Sequence, residues 1–152
     1  MKHFITLTIF LFSTFQISAQ LIHSIGLKAA DDYSGLNYKV FLFERNALDL
    51  TLHSNLNLDF GLSALLEQNH GFGRALRGIS WHYGGGFHVG RSKMAHGKKL
   101  NFGLDAVVGM EYFARALPIS LSMDYMPGYV VNFKGKHLEY NNWAVAIRYV
   151  IN

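Results

Sequence analysis

Four ionisable residues, Asp105, Glu111, Asp124 and Arg148, fall at positions that alternate with large apolar side chains. One arginine can pair bidentately with one carboxylate and touch a second. A structural charge network is therefore the first chemistry these residues suggest. An acid/base pair is the sharper alternative, because crowded carboxylates can have displaced pKa values. The sequence offers neither a nucleophile elbow nor a substrate pocket to accompany such a pair. The four are read as a structural network, with no catalytic residue and no enzymatic activity expected.

Eight histidines raise the question of a metal. His82 and His88 share one face of a strand, but six residues at strand rise is roughly 20 Å, too far to hold one ion together. His23, His53, His70, His96 and His137 fall on other strands or in loops, without ligand spacing. No metal site and no cofactor are expected.

The elements that must position these residues are strands. The segment Ile79-Ser-Trp-His-Tyr-Gly-Gly-Gly-Phe-His-Val-Gly90 alternates strictly. Ile79, Trp81, Tyr83, Phe87 and Val89 share one face; Ser80, His82, Gly84, Gly86, His88 and Gly90 share the other. Leu100, Phe102, Leu104, Val108, Met110 and Tyr112 alternate in the same way with Asn101, Gly103, Asp105, Gly109 and Glu111. Leu117 to Pro127 and Trp143 to Ile151 repeat the pattern, and so does Leu56 to Ala64, with Asp59 on its polar face. Eight strands are expected: Leu21–Ala29, Ser34–Leu42, Ala47–Ser54, Leu56–Leu66, Gly78–Arg91, Leu100–Ala114, Leu117–Asn132 and Leu138–Ile151. Alternation is weaker in the first three, where Lys39 and Phe41 share a face and His23 falls on the apolar side.

The N-terminal segment reads as a secretory signal peptide over residues 1–19, followed by one domain over 20–152. Met1-Lys-His is a short basic region, Phe4 to Phe15 is apolar, and Ala19 is a small residue before a cut. Without Lys2 the domain holds 13 basic and 10 acidic residues, a formal +3. It has no cysteine, although small exported domains usually rely on disulfides. A closed barrel, whose backbone groups all pair internally, meets the same need in a bilayer.

Alternation alone fits both a soluble sandwich and a membrane barrel. The polar faces are dense in Gly, Ala and Ser, as a narrow lumen requires, whereas a water-exposed face would carry more Lys, Glu, Thr and Gln. Trp81, Tyr83, Tyr112, Tyr125, Tyr129, Trp143 and Tyr149 lie on the apolar faces, as the aromatic girdles of a membrane barrel do. The expected fold is all-β: an eight-stranded antiparallel up-and-down transmembrane β-barrel.

The segments Trp81–Gly90, Gly103–Tyr112, Leu117–Pro127 and Ala146–Tyr149 resemble small eight-stranded outer-membrane β-barrel proteins of Gram-negative bacteria, many of unknown function. The resemblance implies location in the bacterial outer membrane. It also implies recognition of the C-terminal strand by the insertion machinery, although this chain ends Tyr149-Val-Ile-Asn152 without a final aromatic residue.

With both termini in the periplasm, Phe43–Asn46, Glu67–Arg77 and Arg115–Ala116 become periplasmic connections. The turns at Ala30–Tyr33 and near Asn55, and the loops Arg91–Lys99 and Phe133–Leu138, then face outward. Arg91, Lys93, Lys98 and Lys99 in one outer loop, with Lys134 and Lys136 in another, could meet the phosphates of membrane lipid or lipopolysaccharide; ordinary solvated loop charges are the alternative. Nucleic-acid binding is not expected, because the basic residues lie without a base-stacking platform. A monomer is expected. An eight-stranded lumen is filled by its own side chains, which favours a structural or surface-interaction role over an open pore. A lipid-modifying membrane enzyme and a soluble periplasmic ligand-binding barrel are the alternatives.

Overall fold

The computed structural model describes residues 22–31, 33–54, 60–73, 76–94, 97–114, 116–132, 135–139 and 142–151. The expected signal segment, Asp59 and Lys134 lie outside these residues. The strands are β1 His23–Ala30, β2 Ser34–Phe41, β3 Asn46–Ser54, β4 Phe60–Gly71, β5 Ile79–Met94, β6 Gly97–Phe113, β7 Ile119–Tyr125, β8 Gly128–Asn132, β9 Gly135–Glu139 and β10 Trp143–Ile151.

Every pairing is antiparallel. Strands β1 to β7 pair in chain order, and β10 pairs with both β7 and β1, so the sheet closes on itself. The ten strands make eight staves, because β7 with β8, and β9 with β10, are each one stave with a break. Pro127 lies in the first break. It has no N–H to donate, and its carbonyl accepts instead from Ala106 N–H at 2.9 Å. Beside it, Met126 N–H donates to Asn142 O across the second break, at 2.8 Å.

Alternation sorts the side chains in every stave. Ser24 and Lys28, Asn37 and Lys39, and Asp49 and Thr51 are buried in the first three staves, where the sequence pattern is weakest. Leu27, Leu36 and Leu52 on their other faces are exposed. His23 faces outward, as its place on the apolar side suggests, with its ring stacked on Tyr38 and Nδ1 2.5 Å from the Tyr38 hydroxyl. The exterior is apolar on all sides: Phe60, Phe87, Phe102, Leu104, Met123, Ile147 and Tyr149 are each at least half exposed. The barrel is therefore inverted relative to a soluble protein, with polar groups inside and hydrocarbon outside.

Three expected boundaries move. The stretch 91–99, expected as an outer loop, is mostly strand: β5 and β6 stay in register from Ile79↔Tyr112 to Met94↔Gly97. Residues 67–71, expected in a connection, continue β4, pairing Glu67 with Gly84 and Gly71 with Ser80. Residues 135–138 form a strand with 129–132 rather than a loop. In each case ladder hydrogen bonding carries the strand past the point where apolar residues stop.

Candidate functional site: a circuit of charge across the lumen

Each of the eight staves places one ionisable side chain at the same level of the lumen. These are Lys28 from β1, Lys39 from β2, Asp49 from β3, Glu67 from β4, His82 from β5, Glu111 from β6, Asp124 from β7 and Arg148 from β10. All eight are at most 3% exposed. They connect in a closed circuit in which basic and acidic groups alternate. Arg148 contacts Glu111 at 3.0 Å; Glu111 and Glu67 each contact Lys39 Nζ at 2.7 Å. His82 Nε2 lies 4.0 Å from Glu67, the longest link, and 3.0 Å from Asp124. Lys28 then joins Asp124 at 3.1 Å to Asp49 at 3.7 Å, and Asp49 returns to Arg148 at 3.0 Å.

Buried charge is tolerated only when paired and hydrogen-bonded, and neutral groups add hydrogen bonds around Asp49 and Arg148. Asn37 Nδ2 donates to Asp49 at 2.6 Å and to the Thr51 hydroxyl at 2.9 Å, while its Oδ1 accepts from Arg148 Nε. Arg148 Nη1 also donates to the Ser122 hydroxyl at 3.1 Å. Arg148 thus uses its planar fork on two carboxylates and an amide from three different staves, a geometry a lysine could not supply.

Glycines open the paths between these groups. His82, Gly109 and Asp124 form one cross-strand row over β5, β6 and β7. A Cβ at Gly109 would sit 2.5 Å from Asp124 Oδ1 and 2.7 Å from His82 Nε2, so the pair meets across the space that Gly109 leaves empty. Asn37, Gly26 and Arg148 form a similar row over β2, β1 and β10, and Arg148 reaches Asn37 across Gly26.

On the side facing the termini, the Phe41 and Phe113 rings approach to 6.3 Å beside a polar mouth of about 400 Å3 that includes Arg45, Asn69 and Ser80. On the other side, Leu65, Val107, Met126 and Ala144 form an apolar layer with Ala30 and Tyr33 packed against it. Beyond that layer the Tyr33 and His53 rings meet at 4.5 Å.

Of the four residues expected to form one network, the structure brings together Glu111, Asp124 and Arg148. Asp105 stands apart, beyond the apolar layer, where His88 Nδ1 lies 2.7 Å from its Oδ2. Its inward position is that of a network member, but it is too far along β6 to reach Arg148. Lys28, Lys39, Asp49, Glu67 and His82 are the members sequence reasoning left out. Parity on the small-residue face places each of them inward. Glu67 lies just past Leu66, where the apolar pattern of β4 stops but the strand continues.

The seven girdle aromatics all lie outward, Tyr125 half-buried and the others exposed. Trp81 and Tyr83 stack with His70 near the end that carries the termini, with ring centroids 4.9 to 5.7 Å apart, and Tyr112 and Tyr149 lie toward the same end. Tyr125 and Trp143 pair at 5.0 Å where β7 stops and β10 starts, with Tyr129 beyond them. Register places Arg91 and Lys93 in β5, Lys98 and Lys99 in β6 and Lys136 in β9. Among the described residues no group of three or more His, Cys, Asp or Glu could hold a metal ion.

A closed antiparallel barrel of eight staves, apolar outside and ionic inside, has the fold of an outer-membrane-type barrel. The crystal structure of the N-terminal beta-barrel domain of Pseudomonas aeruginosa OprF is similar to it, with a TM-score of 0.57 over 86% of this chain and 97% of that one. The two sequences are 12% identical, so the likeness is one of fold. No protein-family model matches the chain, and no curated protein matches it.

Proposed function

We propose that this chain is an integral barrel of the bacterial outer membrane, closed to diffusion, with a structural or surface-interaction role. The charge circuit carries the reading. It spans the lumen wall to wall with one residue from every stave, and an apolar layer backs it on one side. An apolar exterior with outward aromatics supports placement in a bilayer. His82 and Asp124 resemble part of a catalytic relay, but both are sealed within the circuit, so they serve structure rather than an enzymatic reaction. The chain acts as a monomer, because closure leaves no unpaired edge along the body of the barrel. The N-terminal leader directs export and is then cleaved, and the C-terminal strand β10, which seals the barrel against β1, engages the insertion machinery.

Membrane fractionation with heat-modifiable gel migration tests the location. The folded form should sediment with outer membranes and migrate differently from the boiled form; recovery in the soluble periplasm would overturn the reading. Planar-bilayer recording tests closure. The intact barrel should show no sustained channel current, and steady open-channel conductance would refute a closed lumen.

A further inference from the structure

We propose that His82 is the eighth charge of the circuit: the folded barrel holds a proton on this imidazole, and release of that proton loosens the lumen. This rests on the closed-lumen reading above. Among the described residues, the eight members of the circuit are the only buried ionisable side chains. Lys28, Lys39 and Arg148 supply three positive charges, and Asp49, Glu67, Glu111 and Asp124 supply four negative ones. With a neutral imidazole the lumen encloses three against four, a net negative charge. With an imidazolium it encloses four against four. Unbalanced charge out of contact with water is costly. Asp105 and His88 stand outside this balance, paired with each other beyond the apolar layer.

The contacts put the fourth positive charge at His82. Glu111 meets both Lys39 and Arg148, and Asp49 meets both Lys28 and Arg148. Glu67 has Lys39 alone, and Asp124 has Lys28 alone. These two singly paired carboxylates are the ones that flank His82, with Nε2 at 4.0 Å from Glu67 and 3.0 Å from Asp124. A lone pair on Nε2 would face both, so Nε2 carries a hydrogen. Nδ1 has no hydrogen-bond partner among the described residues, whether it is a bare acceptor or an N–H donor. Hydrogen bonding therefore does not select the state of Nδ1, and charge balance does.

Of the four cationic positions, only the imidazole is of a type that changes charge near neutrality. Lys28, Lys39 and Arg148 hold the other three links closed while His82 opens or closes the fourth. Loss of its proton takes the second cation from Glu67 and Asp124 together. The stability that the charged ring contributes is present on the acid side of its titration and is lost as pH rises through it.

Urea unfolding of the full chain in non-ionic micelles over a pH series tests this. The midpoint of the unaltered protein should step down as pH rises, and His82→Gln should start lower and lose that step. Adding Glu67→Gln to His82→Gln restores three against three, so the double variant should unfold at a higher midpoint than His82→Gln alone. A further fall in the double variant would mean that His82 is one link among others rather than the balancing charge, and would overturn the proposal. So would an unchanged step in His82→Gln. Nitrogen-15 shifts of the His82 ring in the unaltered protein give a readout that needs no variant to fold. Both ring nitrogens should carry hydrogen on the acid side of the step, and a neutral ring on both sides would sink the idea. Heat-modifiable migration and planar-bilayer current are recorded in parallel. Their failure in the unaltered protein would count against the closed barrel, whereas a closed, folded barrel with a neutral His82 would remove the charge assignment alone.

Discussion

The charge circuit in the lumen and the basic ladder at the end of β5 and β6 use the same residue types under opposite conditions. In the circuit, Lys28, Lys39 and Arg148 each touch two carboxylates and are sealed from solvent. In the ladder, Lys93 opposes Lys98 in a stretch that contains no acid. A lysine or arginine on a barrel strand thus has no fixed role. Its cross-strand neighbours decide whether it finds the carboxylates that bind the fold together.

The largest effect should come from cutting the circuit. Arg148→Met leaves Glu111 with Lys39 and Asp49 with Lys28 as their remaining cations, and removing one partner of a buried pair costs about 3–5 kcal/mol. Urea unfolding in micelles should show that loss. A second change, Glu111→Gln, should add less than its effect in the unaltered protein, because the two share one interaction. Full additivity would break the idea of a coupled circuit.

Leu65→Ala, in the apolar layer, should cost about 2–5 kcal/mol by leaving a cavity. Thermal unfolding followed by circular dichroism would register it. A negligible change would mean that the layer contributes little beside the charges. Gly109→Ala should cost about 1–3 kcal/mol, because its Cβ meets the His82–Asp124 contact; an unaffected urea midpoint would show that the contact shifts freely.

The smallest effect on stability belongs to the ladder. Lys93→Gln/Lys98→Gln should move the unfolding free energy by about 0.5 kcal/mol or less. A loss as large as that of Arg148→Met would erase the distinction between the two clusters.

Much of the architecture was legible along the chain. The strict alternation of Ile79–Gly90 and of Leu100–Glu111 announced which residues share a face. The same parity placed Glu111, Asp124 and Arg148 inward. Strand ends were less legible, because Glu67 and residues 91–94 continue as strand through backbone pairing that no side-chain pattern reports. The circuit was legible only in part. Lys28 and Asp49 sit in strands whose alternation is weak, and Asp105 carries the right residue type on the right face but at the wrong height.

By itself the sequence determined the two faces of each strand, the closure of polar groups against hydrocarbon, and the supply of at least one inward ionisable residue per stave. Tertiary structure alone decided which of those residues meet. A strand's parity depends only on counting by two, whereas a contact across the lumen depends on the stagger between staves. That stagger sets Lys39 against Glu67 and Glu111, sends Arg148 past Gly26 to Asn37, and leaves Asp105 to His88.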